Sequence, residues 1–199
     1  MRFQGLAVCL AALVTAACSG SGSITSSPGT GRVQFVLGGP VAAATAAPTT
    51  AAALTDEDGR RIDSATISLS SLLARNLDGE LVAVTIDLPV EVDLVDLLEG
   101  RSVEMPTGAL PAGSYDQLVV VIRSLTVTLS DGTQIDVTPP GGGWTAIVRT
   151  EPFDVVEGEV TTVSLRFRPE GAFRWFDGHL EFHPEFDCDV DDGDDGDDD

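Results

Sequence analysis

Between residues 63 and 186 apolar side chains recur at every second position in short runs, and Gly, Pro, Asn or Asp interrupts them about every ten residues. A period of two sends alternate side chains to opposite faces, which suits a strand with one face buried. A surface helix needs apolar residues three and four apart, and no segment carries that pattern convincingly. GRVQFVLGG (31–39) reads as a first strand, with Val33, Phe35 and Leu37 on one side. ATISLSSLLA (65–74) places Ile67 and Leu69 together, and LVAVTID (81–87) follows an Asn/Asp/Gly turn and breaks at Pro89. VEVDLVDLL (90–98) alternates Val90, Val92 and Leu94 against Glu91 and Asp93, which predicts a strand closed by Gly100. YDQLVVVIRSLTVTL (115–129) is the most apolar stretch and predicts a central strand. It runs into Asp131-Gly132, a two-residue hairpin signal, and returns as TQIDVT (133–138). WTAIVRT (144–150), TTVSLRF (161–167) and HLEFHPEF (179–186) complete the series. The predicted class is all-β: an antiparallel sandwich of about seven to nine strands.

A chain of 199 residues with 43% hydrophobic content can fill the core of one domain of usual size and still leave tails. Its charge is lopsided, with 32 acidic against 11 basic residues and a formal net charge of −21. That excludes nucleic acid as a natural partner, because phosphate binding needs Lys and Arg contacts, and it disfavours an anionic membrane surface. All the basic residues are Arg, and they are scattered from Arg2 to Arg174. Of the three cysteines, Cys9 and Cys18 belong to the N-terminal apolar stretch, which leaves Cys188 in the body of the chain. One cysteine makes no internal disulfide framework, so the fold rests on its core.

Met1-Arg2 gives a short positive start, and Leu6 to Val14 is a nearly unbroken apolar run followed by small residues. The run is shorter than the ~20 apolar residues a membrane helix needs. Thr15-Ala16-Ala17-Cys18, followed by the Gly/Ser-rich SGSGSITSSPGTG (19–31), resembles a bacterial lipoprotein signal. The resemblance implies that residues 1–17 are a signal peptide, that Cys18 becomes the first mature residue and carries the lipid, and that the protein sits at the outer membrane or cell surface. Thr15 stands where that signal usually has Leu; plain secretion, with cleavage after Ala17, is the alternative. The expected organisation is a flexible linker over 18–31, a β domain over 32–186 with an Ala/Thr/Pro-rich loop at 40–61, and a disordered acidic tail over 187–199.

The order of the β segments resembles a known family. ATISLSSL, VEVDLVDLLEG, GALPAGSYDQLVVVI, an Asp-Gly hairpin, PFDVVEGEVTTVSLRF and HLEFHPEF occur in the order found in the bacterial and archaeal family known as domain of unknown function 4382. LPAGSYDQL is the most specific piece. The resemblance implies a secreted, often lipidated sandwich of transthyretin-like or immunoglobulin-like form, and it carries no catalytic residues. In LPAGSY (110–115) the residues themselves predict a turn, with Pro111 and Gly113 shaping it and Tyr115 bonding its hydroxyl to nearby backbone.

Common chemistries find little support. No G-x-S-x-G elbow accompanies His179 and His183, and Gly141-Gly142-Gly143 lacks the Lys and helix of a phosphate loop. If HLEFHPEF is one strand, His179, Glu181, His183 and Glu185 share a face, but its two histidines lie about 13 Å apart, too far to share a metal. Asp187, Asp189 and Asp191 have calcium-loop spacing, yet Asp192 occupies the glycine position and no Glu closes the loop. Only weak, nonspecific divalent-cation association is expected there. Trp144, Trp175 and Phe176 are the candidate ligand-binding residues, able to form a sugar-stacking platform if exposed and a cap on the sandwich if buried. The sequence thus predicts a non-enzymatic, lipid-anchored envelope protein with no cofactor and no metal site, binding an envelope protein or glycan. The alternative is a carbohydrate-binding module using those aromatics.

Overall fold

The computed structural model describes residues 29–39 and 61–191. The predicted signal peptide, Cys18, most of the linker, residues 40–60 of the loop and residues 192–199 lie outside them. No helix among the described residues is long and apolar enough to cross a membrane.

The described residues form thirteen strands, one short α-helix and a 3-10 turn at Pro140–Gly142, more strands than the sequence predicts. In chain order they are β1 (Thr30–Gly38), β2 (Ile62–Asn76), β3 (Leu81–Ala83), β4 (Val90–Asp93), α1 (Leu94–Leu98), β5 (Val103–Glu104) and β6 (Gly108–Pro111). Then follow β7 (Gly113–Leu129), β8 (Gln134–Val137), β9 (Trp144–Val155), β10 (Val160–Arg168), β11 (Phe173–Phe176), β12 (His179–Phe182) and β13 (Glu185–Asp191). The count rises because the longest strands take different partners along their length. β2 pairs with β3 near one end and β4 near the other, and β7 likewise takes β9 and then β8.

Two main sheets pack face to face as a sandwich. One runs β13-β10-β1, with β5 and β6 sharing the far edge of β1. The other has β2 and β7 at its centre, β3 and β4 on the outer edge of β2, and β8 and β9 on the outer edge of β7. Pairing is antiparallel throughout except between β1 and β10, which run parallel from Arg32↔Val160 to Gly38↔Arg166. Val33, Phe35, Leu37, Val163, Leu165 and Phe167 from the first sheet and Ile67, Leu69, Leu118, Val120, Ile122 and Val148 from the second are all buried. These are the period-two positions of the sequence, turned inward together.

The chain crosses from one sheet to the other at Ala112, between β6 and β7. There the Tyr115 hydroxyl donates to the Pro111 carbonyl at 2.8 Å, and the ring packs on Phe153 at a centroid distance of 5.8 Å. The Asp131-Gly132 hairpin forms, but its loop has three residues, Ser130 to Gly132, where the sequence predicts two: Thr128 pairs with Gln134, Leu129 N–H donates to the Thr133 carbonyl, and Gly132 alone takes positive φ, at +82°.

Three local predictions are corrected. The segment 90–98 is not one strand: it becomes helical after Asp93, whose carboxylate accepts from Val95 N–H at 2.9 Å, Ala65 N–H at 3.1 Å and the Ser64 hydroxyl at 2.7 Å. That is an N-cap which also ties the helix to β2. Leu94 and Leu97 are then buried, and Gly39 passes so close that a Cβ there would overlap the Leu97 carbonyl oxygen.

HLEFHPEF is not one strand either. β12 ends at Phe182, His183 N–H turns to the Ala172 carbonyl at 2.8 Å, and β13 starts at Glu185 in a different sheet. The predicted His/Glu face is therefore split. Finally, the acidic tail does not begin at 187. β13 pairs with β10 as far as Thr162↔Asp191, with Phe186 packed on Phe167 and Arg166 and Arg168 bound to Asp189 and Asp187. Cys188, a free thiol on this strand, is pushed up to about 11 by burial, against an opposing hydrogen bond with Thr150.

Candidate ligand-binding groove

The β11–β12 hairpin stands apart from both main sheets and closes one end of the sandwich. Asp177 at φ +48° and Gly178 at φ +75° form its turn, two successive positive-φ residues as a tight hairpin requires. Its inner face is apolar: Leu180 and Phe182 are buried, Phe182 meets Trp144 edge-to-face at 5.2 Å, and Phe173 contacts both Phe182 and Phe167. The hairpin thus covers core that the short strand β8 leaves partly open, where Ile135 and Val137 are only half-buried.

Where the hairpin meets β8, two cavities open on either side of Leu180. One, of about 260 Å³, is walled by Val137, Pro140, Trp144, Leu180 and Phe182, with Glu181 and His183 also lining it. The other, of about 230 Å³, is walled by Ile135, Val137, Trp175 and Leu180, with Asp136 and His179 also lining it. Val137, Thr138 and Leu180 line both, so the two cavities are successive parts of one groove. The Trp175 indole N–H is buried and has no acceptor among the described residues.

Of the two alternatives for the aromatics, exposed platform or buried cap, the platform does not assemble. Trp144 is only 9% exposed and its ring is engaged by Phe182. Trp175 is half-buried, and only Phe176, 64% exposed at the hairpin tip, is open to solvent. The two tryptophans do converge, but as walls of neighbouring cavities rather than as an exposed surface. His183 Nε2 lies 3.5 Å from Glu181 Oε2 with both side chains exposed, and His179 stands across the hairpin from Phe176. Among the described residues no three His, Cys, Asp or Glu side chains are grouped to hold a metal ion.

Sequence reasoning missed the β8 side of the groove, Ile135 to Thr138, and the central role of Leu180. The signal for the hairpin was present: Asp177-Gly178 repeats the turn chemistry of Asp131-Gly132. A further cavity of about 530 Å³ lies at the other end of β7, lined by Leu77, Val82, Pro111 and Tyr115, with Asp78 and Glu80 also lining it. Among the described residues it contains no buried side-chain group lacking a partner. No protein-family profile, no curated protein and no solved structure matches this chain.

Proposed function

We propose that this protein is a non-enzymatic binding module held at the bacterial cell envelope by a lipid on Cys18, and that the groove under the β11–β12 hairpin is its ligand site. The observation that carries the site is the paired, largely apolar cavity around Leu180, walled by Trp144 on one side and Trp175 on the other. Ligand pockets are concave and mostly apolar, with a few polar groups to set orientation, and the groove has that composition. The anchor rests on Thr15-Ala16-Ala17-Cys18 and the Gly/Ser linker, and it agrees with the envelope location implied by the resemblance to domain of unknown function 4382. Binding of glycans by stacking on a flat aromatic platform is not favoured, since Trp144 is buried against Phe182 and Phe176 alone of the three is open to solvent.

Each half of the proposal has its own test. Wild-type protein is expected to partition into detergent with a blocked N-terminus, whereas Cys18→Ser yields a soluble protein or an unprocessed precursor. One acyl chain binds a membrane only marginally, so stable partition requires the full lipid group. An aqueous wild-type chain with a free amine at Cys18 would overturn the anchor. For the groove, Trp144 and Trp175 are the only tryptophans, so their fluorescence reports on it directly. A ligand that quenches wild type is expected to lose affinity when Thr138, exposed at the groove mouth, is replaced by Trp. Unchanged affinity would remove the groove as the site.

A further inference from the structure

The geometry points to an extended peptide segment of a partner protein as the occupant of the groove, added as a strand to the free edge of β8 beneath the β11–β12 hairpin. This rests on the groove being the binding site. Among the described residues β8 is paired only with β7, and β12 only with β11, so the remaining edge of each carries backbone N–H and C=O groups outside any described ladder. The cavities lie along those edges. A cavity over one face of a strand is lined by alternate residues, but here the consecutive residues Ile135, Asp136, Val137 and Thr138 contribute, as do the consecutive residues from Leu180 to His183.

The spacing fits as well. The two cavities follow one another along β8, and alternate side chains of an extended strand lie about 7 Å apart on one face. They would accept the side chains at positions i and i+2, while the backbone between pairs with β8, as in strand addition generally. Val137, Pro140, Leu180 and Phe182 call for apolar side chains at those two positions. Asp136 and Glu181 line the groove with negative charge, in a chain already at −21, and select basic or neutral residues around them. The Trp175 ring forms part of one wall, with its N–H buried behind it. A glycan offers no backbone ladder to the strand edges.

The test uses the full-length chain in detergent and end-blocked hexapeptides with Val or Leu at positions three and five, and Lys, Thr or Glu elsewhere. Chitohexaose and cellohexaose form a second arm. The Lys/Thr peptides are expected to quench tryptophan fluorescence and to slow hydrogen exchange of the β8 amides. Glu peptides should bind about tenfold more weakly at low salt, a gap that closes as salt rises. Methylating the peptide backbone nitrogens that face β8 should cost about tenfold in affinity, the loss of a hydrogen bond left unmade.

Trp175→Phe should weaken binding, and Thr138→Trp should abolish it with the melting temperature unchanged. If Thr138→Trp is destabilised, the protection of wild-type β8 amides decides alone. Protection by a hexaose but by no peptide would overturn the strand proposal and leave the groove standing. No protection by any probe, or protection elsewhere, would overturn both. Tolerance of backbone methylation would overturn strand pairing. A dimer that Thr138→Trp dissociates, with no peptide bound, would replace the partner by a second copy of this chain.

Discussion

Arg75 and Asp116 show how one pair of residues is set by its surroundings. Arg75 Nε and Nη2 donate to the two Asp116 carboxylate oxygens at 2.9 and 2.8 Å, a bidentate arrangement on the outward side of β2 and β7. The hydrogen bonds from Arg75 hold the Asp116 carboxyl below its ordinary value, with the charges of Arg75 and Arg149 adding to this. A carboxyl depressed in the folded state contributes stability above its unfolded pKa and loses it as pH falls through the lower folded value. The expected result is that Asp116→Asn is less stable than wild type at neutral pH, and that the gap closes below the ordinary carboxylate value of about 3.9. Urea midpoints of both proteins between pH 7 and pH 2 check this. A gap that persists unchanged at pH 2 would show that Asp116 contributes by packing and not by charge. The pair was not legible in the sequence: 41 residues separate its members, and only the β2–β7 register brings them together. Tyr115 was legible, because its partner Pro111 is four residues away and the corner is local.

At the level of single elements, β13 shows what a purely local reading misses. DCDVDDG has the composition of a disordered acidic run, and self-repulsion argues for that state. The opposing strand supplies what the segment lacks. Arg166 and Arg168 bind Asp189 and Asp187 diagonally across the ladder, and on the other face Phe186 packs on Phe167 at 5.7 Å. A chain ending at Asp191 is therefore expected to unfold within about 0.5 kcal/mol of full length. A chain ending at Pro184 removes the edge strand and uncovers Phe167, at a cost of about 3–5 kcal/mol, comparable to truncating a buried Phe, or it fails to fold. Urea denaturation of both truncations measures this, and equal midpoints would mean that β13 adds nothing to the sheet. The correction at 90–98 has the same origin. VEVDLVDLL alternates well enough for a strand, but Asp93 caps a helix because Ser64 and Ala65 of β2 lie beside it.

Across the whole molecule, net charge opposes folding. The chain carries −21 overall and the sandwich shares that acidic excess, so like charges on it repel, and the unfolded chain relieves that repulsion by expanding. Raising ionic strength from 10 mM to 300 mM shortens the screening length from about 30 Å to below 8 Å, so added salt stabilises the native state. The melting temperature is expected to rise by roughly 3 °C or more, since each 1 kcal/mol moves a domain of this size by about 2–4 °C. Sodium chloride titration followed by circular dichroism measures it. A flat or falling response would show that the ion pairs of β10 and β13 outweigh the general repulsion.

The all-β class, the first strand, the long central strand and both Asp-Gly turns are legible in the residues, because each depends on period-two burial or on turn dihedrals within a few positions. Which strands share a sheet, the parallel β1–β10 pairing, and the end of the fold at β13 depend on contacts between residues far apart in the chain. So does the site. From sequence, Trp144 and Trp175 form either an exposed platform or a buried cap, since nothing local says which way a ring faces. They become cavity walls because the β11–β12 hairpin folds back onto β8 and buries Leu180 between them. Local patterning carries the elements; burial by distant neighbours decides which faces and edges stay open.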